Sequence, residues 1–229
     1  MIQLVDKAYG FLSRKLMRGM APDEKLSVAR LAAECGVSRT PMAEAIHRLI
    51  DEGVLMQKSR SGTYPAAFSR SDLEEAYDLR EALEPHALAK IASAMPKRTL
   101  RRLESCCLAF RKALEILRDG TVSAHRVAVA ESSILESDLA YHVAILDAAG
   151  NTRASAIVRS AFQRNRFFDL PAAGRPRSFQ TLSQAWGYHV RIIKAVKAGD
   201  AAQAVDLLLQ HIRRSCKDAC ARLVARARG

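Results

Sequence analysis

Four side chains in the second half of the sequence have the types and spacing of a metal site. Asp138 and His142 stand at positions i and i+4, so a helix would place both on one face. His189 lies ten residues before Gly199 and His211 twelve residues after it, and residues equidistant from the turn of an antiparallel helical hairpin lie side by side. One carboxylate and three imidazoles, without a thiolate, suit zinc, nickel, manganese or iron.

The same residues have simpler interpretations. A lone histidine most often fills a core or surface position, and an Asp-x3-His pair is by itself weak evidence for a metal. A metal-dependent enzyme is a further alternative, because a bound metal can activate water. However, the sequence has no HExxH motif and no carboxylate or cysteine at a spacing typical of a general base or nucleophile. The five cysteines form no CxxC pair, which argues against a zinc ribbon or a thioredoxin-type site.

The elements that must position these residues are helices. Apolar periodicity, interrupted by glycine and proline, predicts helices at about 71–95, 97–118, 123–149, 152–169, 178–198 and 201–226. No convincing strand or internal repeat is present in this half of the chain. The sequence therefore predicts an all-α bundle over residues 71–229.

The first 68 residues predict a different architecture. A short helix over 28–35 is followed by a tight turn and by a second helix that begins after Ser38. Two short apolar segments, 54–57 and 63–66, then flank a polar turn. This order of elements is typical of a winged helix-turn-helix with a small β-hairpin wing. The chain as a whole is thus predicted to be mainly α.

This architecture predicts contacts with double-stranded operator DNA. The second helix of a helix-turn-helix enters the major groove and reads bases with its N-terminal residues. Arg39 can bind both acceptors of a guanine, and the neighbouring hydroxyls can bind a phosphate at the helix end. The predicted DNA-binding residues belong to this helix and to the hairpin tip: Ser38, Arg39, Thr40, Arg48, Arg60 and Gly62.

The segment Leu26–Leu55 resembles the DNA-binding domain of GntR-type regulators. It contains the stretch LAAECGVSRTPMAEAIHRLIDEGVL. The family usually reads VREAL after the proline, whereas Ala43 here replaces an arginine that commonly touches DNA. The resemblance implies a winged helix-turn-helix, and the departure at residue 43 leaves the operator sequence and the affinity for it open.

A second resemblance covers most of residues 71–213. The segments DLEEAYDLREALEPHALAKIA, DLAYHVAILDAAGN and HVRIIKAVKAGDAAQAVDLLLQH resemble the FCD domain of FadR-type GntR regulators. In metal-containing members an Asp-x3-His pair and two later histidines hold the ion. The resemblance thus implies a divalent metal, with zinc as the first expectation, bound by Asp138, His142, His189 and His211.

The same resemblance implies a small organic-acid effector at the open positions of the metal. Arg80 stands where an inward arginine of the family often meets that ligand, and its alternative is a buried pair with a glutamate of the same helix. Arg164 is the second candidate, with a surface position as its alternative. The effector would control operator binding by a homodimer, because two winged modules on a symmetric protein read a palindrome.

The charge distribution adds a constraint. The chain carries a formal net charge of +12, which indicates a polyanionic partner. Residues 1–68 hold 10 lysines and arginines against 7 acidic residues, and residues 69–229 hold 26 against 17. The excess in the second half fits an anionic ligand or simply a basic surface. No apolar run is long enough for a membrane span, so we expect a cytoplasmic transcriptional regulator, interpreted as a repressor.

Overall fold

The computed structural model describes residues 2–17, 20–21, 23–59, 61–66, 69–119, 121–168 and 178–227. The chain divides into two compact units, Met1–Ser69 with Gln163–Arg175, and Arg70–Phe162 with Pro176–Gly229. The sequence predicts one domain over residues 71–229, whereas the described residues 163–168 are grouped with the first unit. Within the described residues, no helix is both long enough and apolar enough to span a membrane.

The first unit is a winged helix-turn-helix. Its elements are α1 (Ile2–Met17), α2 (Val28–Cys35), α3 (Arg39–Asp51), β1 (Leu55–Lys58) and β2 (Gly62–Pro65). The hydroxyl of Ser27 accepts from the backbone N–H of Arg30 and caps α2, and Gly36 ends this helix in the left-handed region with φ of 68°. The two strands pair antiparallel, with Leu55 opposite Pro65, which confirms the predicted wing with each strand displaced by one residue.

A single apolar core holds the first unit together. The three helices and the first strand each bury side chains in it, including Ala8, Leu12, Leu31, Met42, Leu49 and Leu55. Full burial of a leucine or methionine side chain stabilises the fold by about 1.5–3 kcal/mol. The core therefore fixes α3 with its polar face outward.

The second unit is all-helical in its described residues, as predicted. It contains α4 (Arg70–Ile91), a 3-10 turn (Ala92–Ala94), α5 (Lys97–Arg118), α6 (Ala124–Ala148), α7 (Thr152–Phe168), α8 (Phe179–Lys197) and α9 (Ala201–Ala227). Helix α7 belongs to this unit only up to residue 162. Helix α4 packs against α6 and α9, α5 packs against α6 and α8, and α8 packs against α9. These contacts bring inward-facing positions of α4, α6, α8 and α9 close together.

Candidate functional site

A three-residue turn sets the register between α8 and α9. Gly199 adopts φ of 76°, and its N–H and that of Asp200 donate into the last turn of α8 at 3.1 and 3.0 Å. The Asp200 carboxylate accepts from the backbone N–H of Gln203 at 2.8 Å and caps α9. The predicted hairpin is thus formed, with His189 on one arm and His211 on the other.

The structure brings the four predicted metal ligands together. The Nε2 atoms of His142, His189 and His211 lie 3.1 Å (142 to 211), 3.1 Å (189 to 211) and 3.3 Å (142 to 189) apart. A carboxylate oxygen of Asp138 lies 3.4 Å from the Nε2 atom of His189 and 3.7 Å from that of His142. The three imidazoles are buried, whereas Asp138 is partly exposed. The carboxylate of Asp138 is therefore the most accessible member of the cluster.

These distances fit a metal ion. Zinc–nitrogen bonds of about 2.0–2.1 Å in tetrahedral geometry separate two ligand nitrogens by about 3.3 Å. A neutral imidazole has one N–H and one lone pair, so three ring nitrogens facing one another cannot all satisfy one another. A cation accepts all of their lone pairs at once. The ligand atoms of the four residues lie within 4.8 Å of one another and could hold such an ion.

Aromatic packing fixes the ring planes of the histidines. The ring of Tyr141 stacks on that of His189 with centroids 3.9 Å apart, and its hydroxyl donates to the backbone carbonyl of His189 at 3.2 Å. The rings of His142 and His211 lie parallel to each other with centroids 5.1 Å apart. The cluster is therefore held in place by the apolar core around it.

Burial sets the charge of the cluster. It lowers the pKa of His189 to about 3, and it holds the pKa of His211 well below its usual value, with the neighbouring imidazoles adding to the effect. Burial works against ionisation of Asp138, but the contacts with His142 and the other rings outweigh it and keep the pKa of this carboxyl below its usual range. Neutral imidazoles and an ionised carboxylate are the forms that bind metals.

A buried carboxylate contacts the ring nitrogen of His142 that faces away from the other imidazoles. Glu84 on α4 accepts from Nδ1 of His142 at 2.5 Å and from Nε of Arg80 at 2.7 Å. Burial disfavours the charged form of His142, but the charge of Glu84 outweighs burial and raises the pKa of that ring. The guanidinium of Arg80 also stacks on Phe162, 4.0 Å from the ring centroid.

Arg80 forms the pair that was the alternative to an effector contact, and effector binding by this residue stays a prediction. It forms the buried pair with a glutamate of its own helix, yet its Nη2 has no hydrogen-bond partner among the residues that the structure describes. Sequence reasoning named Arg80 but missed Glu84 and Tyr141. The i, i+4 spacing of Arg80 and Glu84 was a visible signal for the pair, whereas nothing in the spacing indicated that Glu84 also reaches α6.

The residues predicted to bind DNA lie on the first unit. Ser38, Arg39 and Thr40 are exposed at the N-terminus of α3, and the Ser38 side chain makes no cap hydrogen bond to the described part of the chain. Gly62 begins β2 with φ of 128°, a conformation that L side chains rarely adopt. Arg60 lies outside the described residues.

Arg48 makes contacts within its own domain. Its guanidinium lies 3.4 Å from Asp6 on α1, 3.2 Å from Glu52 and 4.1 Å from the ring centroid of Tyr9. The hydroxyl of Tyr9 also donates to Glu52 at 2.6 Å. These contacts hold α1 against the end of α3, and a contact of Arg48 with DNA stays a prediction.

Arg164 is grouped with the first unit, whereas Arg80 and the histidine cluster belong to the second. Its side chain lies beside Gly53, where a Cβ added to the glycine would stand 3.5 Å from Cδ of Arg164, an ordinary van der Waals distance. Effector binding by Arg164 stays a prediction.

Comparison with known families and proteins follows the same division of the chain. The model of the FCD domain matches residues 75–214, and that of the bacterial regulatory proteins of the gntR family matches residues 4–64. Within the solved structures, the chain resembles McbR/YncC of Escherichia coli (TM-score 0.68, 20% identity, 94% of this chain and 96% of that chain) and a putative GntR regulator of Rhodococcus sp. RHA1 (0.67, 18%, 96% and 97%). These structural matches support the fold.

Three regulators with known names are similar in sequence. The transcriptional repressor GlaR of Escherichia coli K12 is 27% identical, over 89% of this chain and 90% of that protein, and LutR of Bacillus subtilis is 28% identical, over 84% and 90%. The Nta operon regulator of Aminobacter aminovorans is 29% identical over 64% of this chain and 63% of its own length. The chain is therefore a transcriptional regulator that belongs to the gntR family, with a winged helix-turn-helix and a C-terminal FCD domain.

Proposed function

We propose that the chain is an effector-controlled repressor that binds double-stranded operator DNA as a homodimer. In this proposal the helical unit holds a divalent metal ion and a small organic acid. The observation that carries it is the buried cluster of three imidazoles and one carboxylate, next to a buried arginine with an unused donor.

The ligand set suits zinc first, with nickel, manganese or iron as alternatives. His142, His189 and His211 would hold the ion through Nε2, and Asp138 through a carboxylate oxygen. When bound, the ion supplies a Lewis-acidic centre that attracts hard oxygen donors at its open positions. Because Asp138 is the only half-exposed member of the cluster, we expect the effector to approach from its side.

Arg80 supports a carboxylate as the effector. A buried donor without a partner costs about 1–3 kcal/mol, and an incoming carboxylate would remove that cost at Nη2. Guanidinium groups bind carboxylates through strong, charge-assisted hydrogen bonds. A polar centre of this kind favours an anion of hydroxy-acid or sugar-acid size over a long acyl chain, which would require an apolar tunnel. Arg164 remains the second candidate for effector contact.

The winged unit supports the DNA half of the proposal. Ser38, Arg39 and Thr40 form an exposed polar cluster at the start of α3, where a helix-turn-helix reads bases. A coupling of about 1–3 kcal/mol between effector and operator would be typical of such a regulator. Repression is favoured by the relative GlaR, which is itself described as a repressor. A metal-dependent enzyme, the alternative raised by the ligand set, finds no support in the family matches or the relatives, which are all regulators.

The proposal is tested in three steps on protein purified without chelator or nickel resin. Elemental analysis should find close to one metal per chain. A thermal-shift screen of dicarboxylates, hydroxy acids and sugar acids should then find a compound that stabilises the metal-loaded protein, by about 2.7 kcal/mol at a hundredfold excess over Kd. The same compound should change operator affinity in a gel-shift experiment.

A matched pair of histidine variants controls these measurements. His211→Ala removes a ligand and should abolish both the bound metal and the stabilisation, whereas His86→Ala, at an exposed position of α4, should retain both. Absence of metal after zinc has been added would contradict the metal centre. Stabilisation that survives complete removal of the metal would contradict an effector anchored by it.

A further inference from the structure

Glu84 contacts both a histidine of the proposed metal cluster and the arginine proposed to bind the effector. It is completely buried on α4, and each of its carboxylate oxygens accepts one hydrogen bond. One oxygen faces Nδ1 of His142 at 2.5 Å, and the other faces Nε of Arg80 at 2.7 Å. The carboxylate therefore bridges a ligand of the metal cluster and the arginine with the unused donor.

The contact with His142 fixes which ring nitrogen carries the proton. A carboxylate only accepts hydrogen bonds, so Nδ1 of His142 must be the donor. In the neutral ring, the form that binds a metal, this is the single N–H, so Nε2 is left with a bare lone pair. This is the atom that lies 3.1 Å from Nε2 of His211 and 3.3 Å from Nε2 of His189. The tautomer selected by Glu84 is therefore the one that can bind a metal.

We infer that Glu84 is a positioning residue that holds His142 in its metal-binding tautomer and aligns Arg80, thereby joining the metal centre to the anion-binding arginine. This inference rests on the proposed function. Carboxylates that orient metal-bound histidines typically change metal affinity by 10- to 100-fold when they are replaced.

A glutamine at this position cannot replace both contacts. If its single carbonyl oxygen accepts from His142, its amide group faces the guanidinium of Arg80, and two donors meet. If the oxygen accepts from Arg80, the amide donates to Nδ1 of His142 and moves the ring proton to Nε2, inside the ligand cluster. Glu84→Gln thus keeps the size of the side chain and removes the tautomer selection.

The matched control is Glu81→Gln on the same helix. Glu81 accepts from Nε of Arg213 on α9 at 2.9 Å, and both side chains of this pair are partly exposed. Isothermal titration of the metal-free full-length chain with zinc should show a 10- to 100-fold weaker affinity for Glu84→Gln, with Glu81→Gln within about twofold of the unmodified chain.

A second measurement reads the tautomer without any metal. In ¹H–¹⁵N correlation spectra of the imidazole rings, recorded at a pH at which the His142 ring is neutral, His142 should carry its proton on Nδ1. In Glu84→Gln this proton should move to Nε2 or the signal should split. The signals are assigned by their loss in His142→Gln. If Glu84→Gln does not fold, the tautomer of the unmodified chain decides the question alone.

The outcomes separate this inference from the function on which it rests. If the unmodified chain binds no zinc, the metal centre itself is wrong. If the unmodified chain and both glutamine variants bind zinc equally well, the centre stands and the role of Glu84 is overturned. In the neutral ring of His142 in the unmodified, metal-free chain, a proton on Nε2 in place of Nδ1 also overturns that role.

Discussion

The two units of the chain place their candidate functional side chains in opposite environments. In the winged unit, Ser38, Arg39 and Thr40 are consecutive and exposed, and one helix positions them. In the helical unit, the ligand cluster is drawn from three helices, and its three imidazoles are buried. A surface site can change its specificity with little effect on folding, whereas a buried polar site depends on every partner being present. The two sites should therefore respond differently to the same kind of substitution.

The largest effect is expected from Arg80→Ala in the helical unit. It leaves the Glu84 carboxylate without its arginine in a buried position, and breaking a buried ion pair in this way costs about 3–5 kcal/mol. Urea denaturation of the metal-free protein measures the free energy of unfolding. The control is Arg213→Ala, which removes a half-exposed pair with Glu81 and should cost less than about 1 kcal/mol.

Similar losses of stability for the two arginine variants would break the contrast between buried and exposed charges on which the comparison of the two units rests. They would mean that water reaches the Glu84 carboxylate and stabilises its charge once Arg80 has been removed.

An intermediate effect, on DNA affinity and not on stability, is expected from Arg39→Ala in the winged unit. Loss of a bidentate guanine contact should weaken operator binding by about 1–3 kcal/mol and relax specificity at one base pair per half-site. The free energy of unfolding should change by less than about 0.5 kcal/mol, because the side chain is exposed. Fluorescence anisotropy with labelled operator measures the change in operator affinity. The control is Arg101→Ala on the exposed face of α5, which should leave that affinity unchanged. Unchanged specific affinity would show that another residue reads the base.

The smallest effect distinguishes two serines within the winged unit. Ser27 caps α2 through its side chain, and Ser27→Ala should lower the free energy of unfolding by about 1 kcal/mol. Ser38 also occupies an N-cap position, but its side chain forms no cap hydrogen bond within the described residues. Ser38→Ala should therefore cost less stability than Ser27→Ala and weaken DNA binding more. The reverse order in thermal melts and binding isotherms would place the hydroxyl of Ser38 in folding and not in recognition.

Much of the fold could be predicted because helix ends are encoded locally. Gly36 and Gly199 both take the left-handed conformation that ends a helix, and each lies just after an apolar periodic segment of the sequence. The strands of the wing were displaced by one residue, since alternation over four residues does not define where pairing begins.

The site was predictable where the turn defines the geometry and unpredictable where distant helices meet. His189 and His211 follow from their distances to Gly199, so their proximity can be derived from the sequence. Glu84 was missed because its contact with His142 spans 58 residues between two helices. The contact of Arg48 with Asp6 spans 42 residues and was missed for the same reason.

The short turn between α8 and α9 also has a consequence for the order of folding. His189 and His211 are only 22 residues apart in the chain, whereas His189 and His142 are separated by 47. The entropy lost on closing a loop grows with its length, and helical hairpins form early through local contacts. Half of the ligand set can thus assemble while the chain is still largely unfolded. The docking of α6, which carries Asp138 and His142, then completes the cluster.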